Sequence, residues 1–158
     1  MGVEIERKFL LRSDAWRALG TPVLLRQGYL SSQRERVVRV RIEDQTAMLT
    51  IKGRSEGARR GEWEYPIPLA DADVFLATLC EQPLVEKYRR RIDFGGLVWE
   101  VDEFLGVNAG LVVAEVELTA EDQAFDKPDW IGEEVTHDAR YFNANLIRQP
   151  FSTWGDDD

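Results

Sequence analysis

Polar and apolar residues alternate with a period of two over most of the chain, the pattern of half-buried β-strands. Eight segments carry it, near residues 3–10, 24–30, 36–43, 47–53, 61–68, 87–93, 97–104 and 111–119. Few stretches remain for helices. The sequence predicts one over 13–19 with Ser13 or Asp14 as cap, one over 70–81 with Asp71 capping, a short turn around 120–125, and a last helix over 138–148. Gly20-Thr21-Pro22, Gly95-Gly96 and the glycine-bounded stretches 53–61 and 106–110 read as turns or loops. No repeat longer than a strand and no linker interrupts the series, so residues 1–154 are expected to form a single domain. Residues 155–158 are expected to be a disordered, solvated tail.

Because neighbouring strand residues point to opposite sides, each strand can be divided into two faces. One face collects charge: Glu4, Glu6 and Lys8; Arg39 and Arg41; Thr50 and Lys52; Glu62 and Glu64; Lys87, Arg89 and Arg91; Glu100 and Asp102; Glu115 and Glu117. The other is apolar, with Val3, Ile5 and Phe9; Val38, Val40 and Ile42; Leu49 and Ile51; Trp63, Tyr65 and Ile67; Trp99 and Val101; and Val112, Ala114, Val116 and Leu118. For one strand this is the ordinary outcome of an antiparallel sheet with a solvated side. Seven strands that are often wholly acidic or wholly basic call for more, since like charges two residues apart repel by about 0.5–1 kcal/mol in water and more where water is scarce. Carboxylate clusters suit a divalent cation, and Lys/Arg clusters a multiply charged oxyanion. Eight antiparallel strands can close into a barrel. With the charged faces inward, its lumen would be a hydrophilic tunnel, and the helices at 13–19, 70–81 and 138–148 would cover the apolar outside. Glu133, Glu134 and Arg140 are candidates to close its mouth.

Composition narrows the classes. The 158 residues are 44% hydrophobic and 10% aromatic, enough for a folded core, and no apolar run approaches the ~20 residues of a membrane span. The formal net charge of −9 disfavours broad attachment to nucleic acid or anionic lipid, although a local basic patch is hardly affected beyond a Debye length of about 8 Å. A single cysteine, Cys80, cannot form an internal disulfide, and no signal sequence opens the chain, so a cytoplasmic location is expected. Glu6 stands where a myristoylated Met-Gly start wants Ser or Thr. The lone His137, beside Asp138, reads as a surface or capping residue, and Cys80 as simply buried.

The stretch "VEIERKFLL" resembles the Glu-x-Glu-x-Lys signature of the triphosphate tunnel metalloenzymes, the CYTH superfamily. The resemblance continues through "LRQGYL", "VRVRIE", "LTIKG", "EWEYPI", "VEKYRRR", "VWEVDEF", "VAEVEL" and "GEEVTHDARYFNANL", in the order and spacing of the short bacterial stand-alone members, and covers about residues 1–149. It implies a mainly β, α+β fold: an eight-stranded antiparallel closed barrel with a few covering helices, whose tunnel holds triphosphate with one or two Mg2+ or Mn2+ ions. By position, Glu4, Glu6 and Glu117 resemble metal ligands, with Glu115 close by. Arg39, Arg41, Lys52, Lys87 and Arg89 resemble phosphate grips. Lys8 would bind near the phosphoryl group under attack, and Glu117 or Glu115 would activate the water. Tyr29 would assist the leaving oxygen or serve packing, and Glu62, Glu64, Glu100 and Asp102 match further tunnel acids. Arg90 and Arg91 fit the basic strand without an assigned role.

The activity expected on this ground is a metal-dependent tripolyphosphatase, a hydrolase that splits inorganic triphosphate into pyrophosphate and phosphate. The alternatives are an organic triphosphate hydrolase acting on thiamine or nucleoside triphosphate, a class IV adenylate cyclase, and a polyphosphate-binding module without turnover. The partner expected is a small-molecule triphosphate rather than nucleic acid or membrane. The oligomeric state stays open, a homodimer included.

Overall fold

The computed structural model describes residues 2–155, so Met1 and the last three residues of the expected tail lie outside it. Nine strands form: β1 (Val3–Leu11), β2 (Val23–Gln33), β3 (Arg36–Glu43), β4 (Thr46–Gly53), β5 (Arg59–Ile67), β6 (Glu81–Phe94), β7 (Leu97–Phe104), β8 (Val112–Glu117) and β9 (Ile131–Glu134). The first eight correspond to the alternating segments, with β2 and β6 longer than the pattern indicated. They pair antiparallel in the order β5-β4-β3-β2-β6-β7-β8-β1, and β1 pairs with β5 to close the barrel. β9 lies outside the eight. It joins β1 near Phe9 and Leu11, along the edge that β5 occupies only at Val3–Ile5. Hairpin chemistry fixes register locally. Phe94 pairs with Leu97 across Gly95 and Gly96, whose φ values of 61° and 80° meet the left-handed demand of a two-residue hairpin loop.

The apolar faces point outward, and two covers bury much of them. Over β1, β6, β7 and β8, residues Phe9, Trp99, Val101 and Val116 pack with Trp16, Trp130 and Ile131. Over β3 and β4, residues Val40, Ile42 and Ala47 pack with Ala72, Leu76 and Cys80. The second cover sits so close to β2 that a Cβ at Gly28 would fall 2.7 Å from Leu84 and 2.8 Å from Cys80, which only glycine avoids. The outer side of β5 is less covered: Ile67 packs against that cluster, but Trp63 and Tyr65 stay exposed.

The covering elements differ from the helices the pattern predicts. Residues 13–19 give only a 3-10 turn, Ala15–Ala18, cut short before Gly20 and Pro22. The 70–81 segment starts as an α-helix, α1 (Leu69–Val74), with Pro68 rather than Asp71 at its N-cap, and widens into a π-helical turn over Phe75–Leu79. The expected turn near 120–125 is present, with Gln123 N–H donating to Ala120 O at 3.2 Å.

Residues 138–148 are not a continuous helix but two 3-10 turns, Ala139–Tyr141 and Asn143–Ile147. Side chains there compete for the backbone: Asp138 Oδ1 accepts from Arg140 N–H, and Asn145 Nδ2 donates to Ala139 O at 2.9 Å. Nor does this segment cover the outside. Its Tyr141, Leu146 and Ile147 pack with Tyr29, Val37, Val85, Phe104 and Val113, which lie on the inward phase of their strands at one end of the barrel. The inward phase is therefore charged along most of the barrel and apolar at this end, where the C-terminal segment fills it.

Candidate functional site

The inward side chains surround one chamber of about 310 Å³, near the lower limit for small-molecule sites and lined mostly by polar groups. Its wall carries the strand acids Glu4, Glu6, Glu62, Glu64, Glu100, Glu115 and Glu117. The same wall carries Lys8, Tyr29, Arg39, Arg41, Lys52, Lys87 and Arg89. Period-two alternation brings them together because each strand contributes one phase to the inside, and register aligns the rows. Glu6 stands opposite Glu117 and Lys8 opposite Glu115 across β1 and β8, Glu100 opposite Glu115 across β7 and β8, and Lys52 opposite Glu62 across β4 and β5.

Several charges are already matched. Lys8 Nζ donates to Glu6 Oε1 at 3.2 Å and to Glu115 Oε2. Burial alone would weaken its charge, but Glu115 and Glu6 overcome that and hold the ammonium well above its usual range. Burial would likewise raise the Glu115 carboxyl, yet Lys8 and Arg89 press it down to about 2. Lys52 Nζ lies 3.1 Å from Glu4 and 3.7 Å from Glu62. Arg39 Nη2 donates to Thr50 Oγ1 at 3.2 Å and lies 3.5 Å from Glu64, while its Nε is buried with no partner among the described residues.

Other charges are compensated only in part, and they fall into two groups. Burial, Glu115 and Glu4 raise the Glu6 carboxyl against the pull of Lys8. Partial burial and then Glu4, Glu62, Glu6 and Glu100 raise Glu117. Across the chamber, Arg41 has no carboxylate within 4 Å among the described residues. Its Nε donates to Gln27 Oε1 at 2.9 Å, and burial with Arg39 and Arg89 nearby pulls it down to about 9. Burial also pulls Lys87 down to about 7, with Arg89 and Arg41 adding to the effect and Asp102 opposing it. The chamber thus has a negative group around Glu117 and Glu6 and a positive group around Arg41, Lys87 and Arg89.

Asp102 is not part of the chamber wall. It shares the inward phase of Glu100 but lies buried beneath the cations, accepting from Arg89 Nε and Nη2 at 2.8 and 2.9 Å and meeting Lys87 Nζ at 2.8 Å. The mouth candidates also fall elsewhere. Glu134 takes a two-pronged bond from Arg7, Arg140 pairs with Asp138, and neither these nor Glu133 line the chamber. Arg91 does reach it, braced on Glu43 at 2.9 and 3.0 Å, whereas Arg90 lies outside against Trp16. His137 is exposed, and Cys80 is buried with its thiol pushed up to about 11 by burial and Glu81.

Some chamber residues escape the charge pattern. Arg60 shares the phase of Glu62 and Glu64 and stands opposite Glu4, and it becomes visible once β5 is started at Arg59 rather than at 61. Asn143 and Thr136 come from the C-terminal stretch, where alternation gives no guide.

The negative group suits a hard divalent cation on chemical grounds. Glu4, Glu6 and Glu117 supply only oxygen donors, and Glu6 and Glu117 are each raised by neighbouring carboxylates, a repulsion that an added positive charge would relieve. In this conformation Glu4 leans on Lys52 and Glu6 on Lys8, and among the described residues no three acid side chains stand together as a ready-made cage.

The family model for the CYTH domain matches residues 2–151. Inorganic triphosphatase of Acetivibrio thermocellus is 50% identical over 154 residues, 98% of this chain and 99% of that protein. Inorganic triphosphatase of Nitrosomonas europaea is 38% identical over 148 residues, 90% of this chain and 95% of that protein. A crystal structure of an inorganic triphosphatase superposes with a TM-score of 0.65 at 36% identity, covering 91% of this chain and 93% of the other.

Proposed function

The chain belongs to the CYTH domain family, and on that premise we propose that it is a divalent-metal-dependent hydrolase of phosphoanhydride bonds that splits inorganic triphosphate into pyrophosphate and phosphate. The observation that carries this reading is the paired surplus of charge in one chamber. Arg41 and Lys87 lack full compensation on one side, while burial and neighbouring carboxylates raise Glu6 and Glu117 on the other. A triphosphate offers oxyanions to the first group, and a cation held by the second neutralises what remains of its charge. The two relatives named inorganic triphosphatase match almost end to end and support the same substrate.

Glu4, Glu6 and Glu117 are the carboxylates assigned to Mg2+ or Mn2+, with Glu115 beside them. When bound, the ion supplies charge neutralisation at the phosphate oxygens. Arg39, Arg41, Lys52 and Arg89 hold the phosphate oxygens, and Lys8 meets the phosphoryl group under attack. Glu117 receives the proton of the attacking water, because Glu115 is engaged by Lys8 and lies 3.5 Å from Arg89 Nη2. The water oxygen bonds to a terminal phosphorus and the bridging P–O bond breaks. Lys87, pulled to about 7, hands a proton to the departing pyrophosphate oxygen. Tyr29 Oη accepts from Gln27 Nε2 at 3.0 Å, which leaves its own proton free to donate to the same oxygen.

The test is phosphate release from tripolyphosphate, thiamine triphosphate and ATP, each with Mg2+, with Mn2+ and with chelator. Release from tripolyphosphate that exceeds the organic substrates and vanishes with chelator is expected. Equal or greater turnover of an organic triphosphate would overturn the substrate, and binding without turnover would overturn catalysis.

A further inference from the structure

The C-terminal stretch brings an uncharged amide into this charged chamber. Asn143 Oδ1 accepts from Lys87 Nζ at 2.7 Å and from Gln27 Nε2 at 3.3 Å. Asn143 is held by packing that has no part in the chemistry. Leu146 and Ile147 are sunk among the apolar residues of the barrel end, and Arg148 Nη2 donates to Ser32 O at 2.9 Å.

The orientation of each amide follows from its partners. Arg41 and Lys87 have only donors. Gln27 therefore turns Oε1 to Arg41 and Nε2 to Tyr29 and Asn143, and Asn143 turns Oδ1 to Lys87. Of the three N–H groups of Lys87, one meets Asp102 and one meets Asn143, which leaves the third for the chamber.

We infer that Asn143 is a positioning residue for the hydrolysis, which takes one N–H of Lys87 and fixes Gln27 against Tyr29, so that the ammonium and the phenol both address the bridging oxygen that leaves. This rests on the donor role given to Lys87 above. Asn143 itself exchanges no proton in that step. The water oxygen bonds to phosphorus, the bridging P–O bond breaks, Glu117 takes the proton of the water, and Lys87 protonates the leaving oxygen.

The test reads the pH dependence of kcat on tripolyphosphate at saturating divalent cation. The charged or titratable groups around Lys87 are Asp102 on β7, Arg89 on β6, Arg41 on β3, Glu115 on β8 and Tyr29 on β2. A donor must be protonated, so kcat falls as pH rises through the titration of Lys87. Asn143→Asp keeps the side-chain shape and adds a carboxylate beside the ammonium, which should move that limb to higher pH by about one unit or more. Asn143→Ala should lower kcat about tenfold or more with little change in KM, because the donor loses its aim. Asn143→Ser, which keeps an acceptor on a shorter side chain, should recover part of the loss. An unmoved limb in Asn143→Asp, or wild-type kcat in Asn143→Ala, overturns the inference. Asn143→Asp keeps the test open if the alanine variant does not fold. Lys87→Arg separates the two readings, since arginine is too basic to donate. Wild-type kcat in that variant removes the donor role itself, whereas its loss beside unaffected Asn143 variants removes only the role of Asn143.

Discussion

Asp102 grips the Arg89 guanidinium with both carboxylate oxygens, at 2.8 and 2.9 Å, and lies 2.8 Å from Lys87 Nζ. One buried acid thus stands under two buried cations and fixes their direction, yet leaves them together a net positive charge for an anion.

Removing that acid should be costly. Asp102→Asn keeps the shape but leaves Arg89 and Lys87 buried without their counter-charge, a loss of about 3–5 kcal/mol by the general experience with broken buried pairs. Burial opposes ionisation of Asp102, but Arg89 and Lys87 prevail and hold its carboxyl well below the usual range. A depressed carboxyl contributes stability that is present above the unfolded value of about 3.9 and is lost as pH falls below it. Urea unfolding from pH 7 to pH 3 should show a steep acid loss in the parent and a flatter one in Asp102→Asn. Parallel curves would mean that this carboxylate is not what the fold loses in acid.

Glu6 and Glu117 should act with the opposite sign. Their carboxyls are raised, so folding is opposed when they ionise, and once Lys87, pulled down to about 7, is protonated, the metal-free protein should gain stability as pH falls toward the ordinary carboxylate range, before the loss through Asp102 and Glu115 begins. Melting temperatures with chelator should therefore pass through a maximum in mildly acidic buffer, and Mg2+ or Mn2+ at pH 7 should remove most of the difference. Glu117→Gln should raise the metal-free melting temperature at pH 7, shrink the rise produced by the cation and cut tripolyphosphate hydrolysis at least tenfold, as charged sites often exchange stability for function. A chelated protein that is most stable at pH 7 would contradict the carboxylate repulsion at Glu6 and Glu117.

The barrel and most of its chamber were legible because period two assigns a face and charge marks which face is special. What that pattern cannot give is depth. Glu100 and Asp102 share a phase, but only Glu100 reaches the chamber, and Asp102 sinks beneath Arg89. Gln27 and Asn143 carry no charge and so gave no signal. Arg60 was hidden by a strand start set two residues late. β9 has four residues and is held by main-chain pairing with β1, which a short "IGEE" does not announce. The apolar spacing of "DARYFNANLIR" suits a helix on a surface as well as a stopper in a barrel end. Only the inward apolar residues Val37, Val85, Phe104 and Val113 decide between them.

Arg41 should matter to the ligand and little to the fold. It is partly buried beside Arg39 and Arg89 and, among the described residues, bonded only to Gln27, so Arg41→Ala removes repulsion along with one hydrogen bond, and the metal-free melting temperature should be unchanged or higher. A charge-assisted bond to a phosphate oxygen contributes about 1.5–3 kcal/mol, so tripolyphosphate should bind at least tenfold more weakly. Titration calorimetry and the shift in melting temperature produced by tripolyphosphate should agree on that loss. An undiminished shift would place the anion away from Arg41.

Lys8 presents the reverse case. Its ammonium lies between Glu6 and Glu115, and both carboxylates hold it protonated against burial. A raised ammonium contributes stability that is complete below the unfolded value of about 10.4, so at neutral pH the whole effect is present. Lys8→Met retains the length of the side chain and replaces a stem that is already packed, so the apolar gain is at most about 1 kcal/mol. The loss is larger, because Glu6 and Glu115 are left buried without their shared cation, at about 3–5 kcal/mol. The metal-free variant should melt well below the parent. If the divalent cation sits at Glu4, Glu6 and Glu117, it replaces part of the missing charge, and Mg2+ or Mn2+ should raise the melting temperature more in Lys8→Met than in the parent. Tripolyphosphate hydrolysis should stay low even then, if Lys8 also meets the phosphoryl group as proposed. Melting with and without chelator, measured beside phosphate release, checks all three. A metal-free melting temperature equal to that of the parent would show that Glu6 and Glu115 do not depend on Lys8 for their charge.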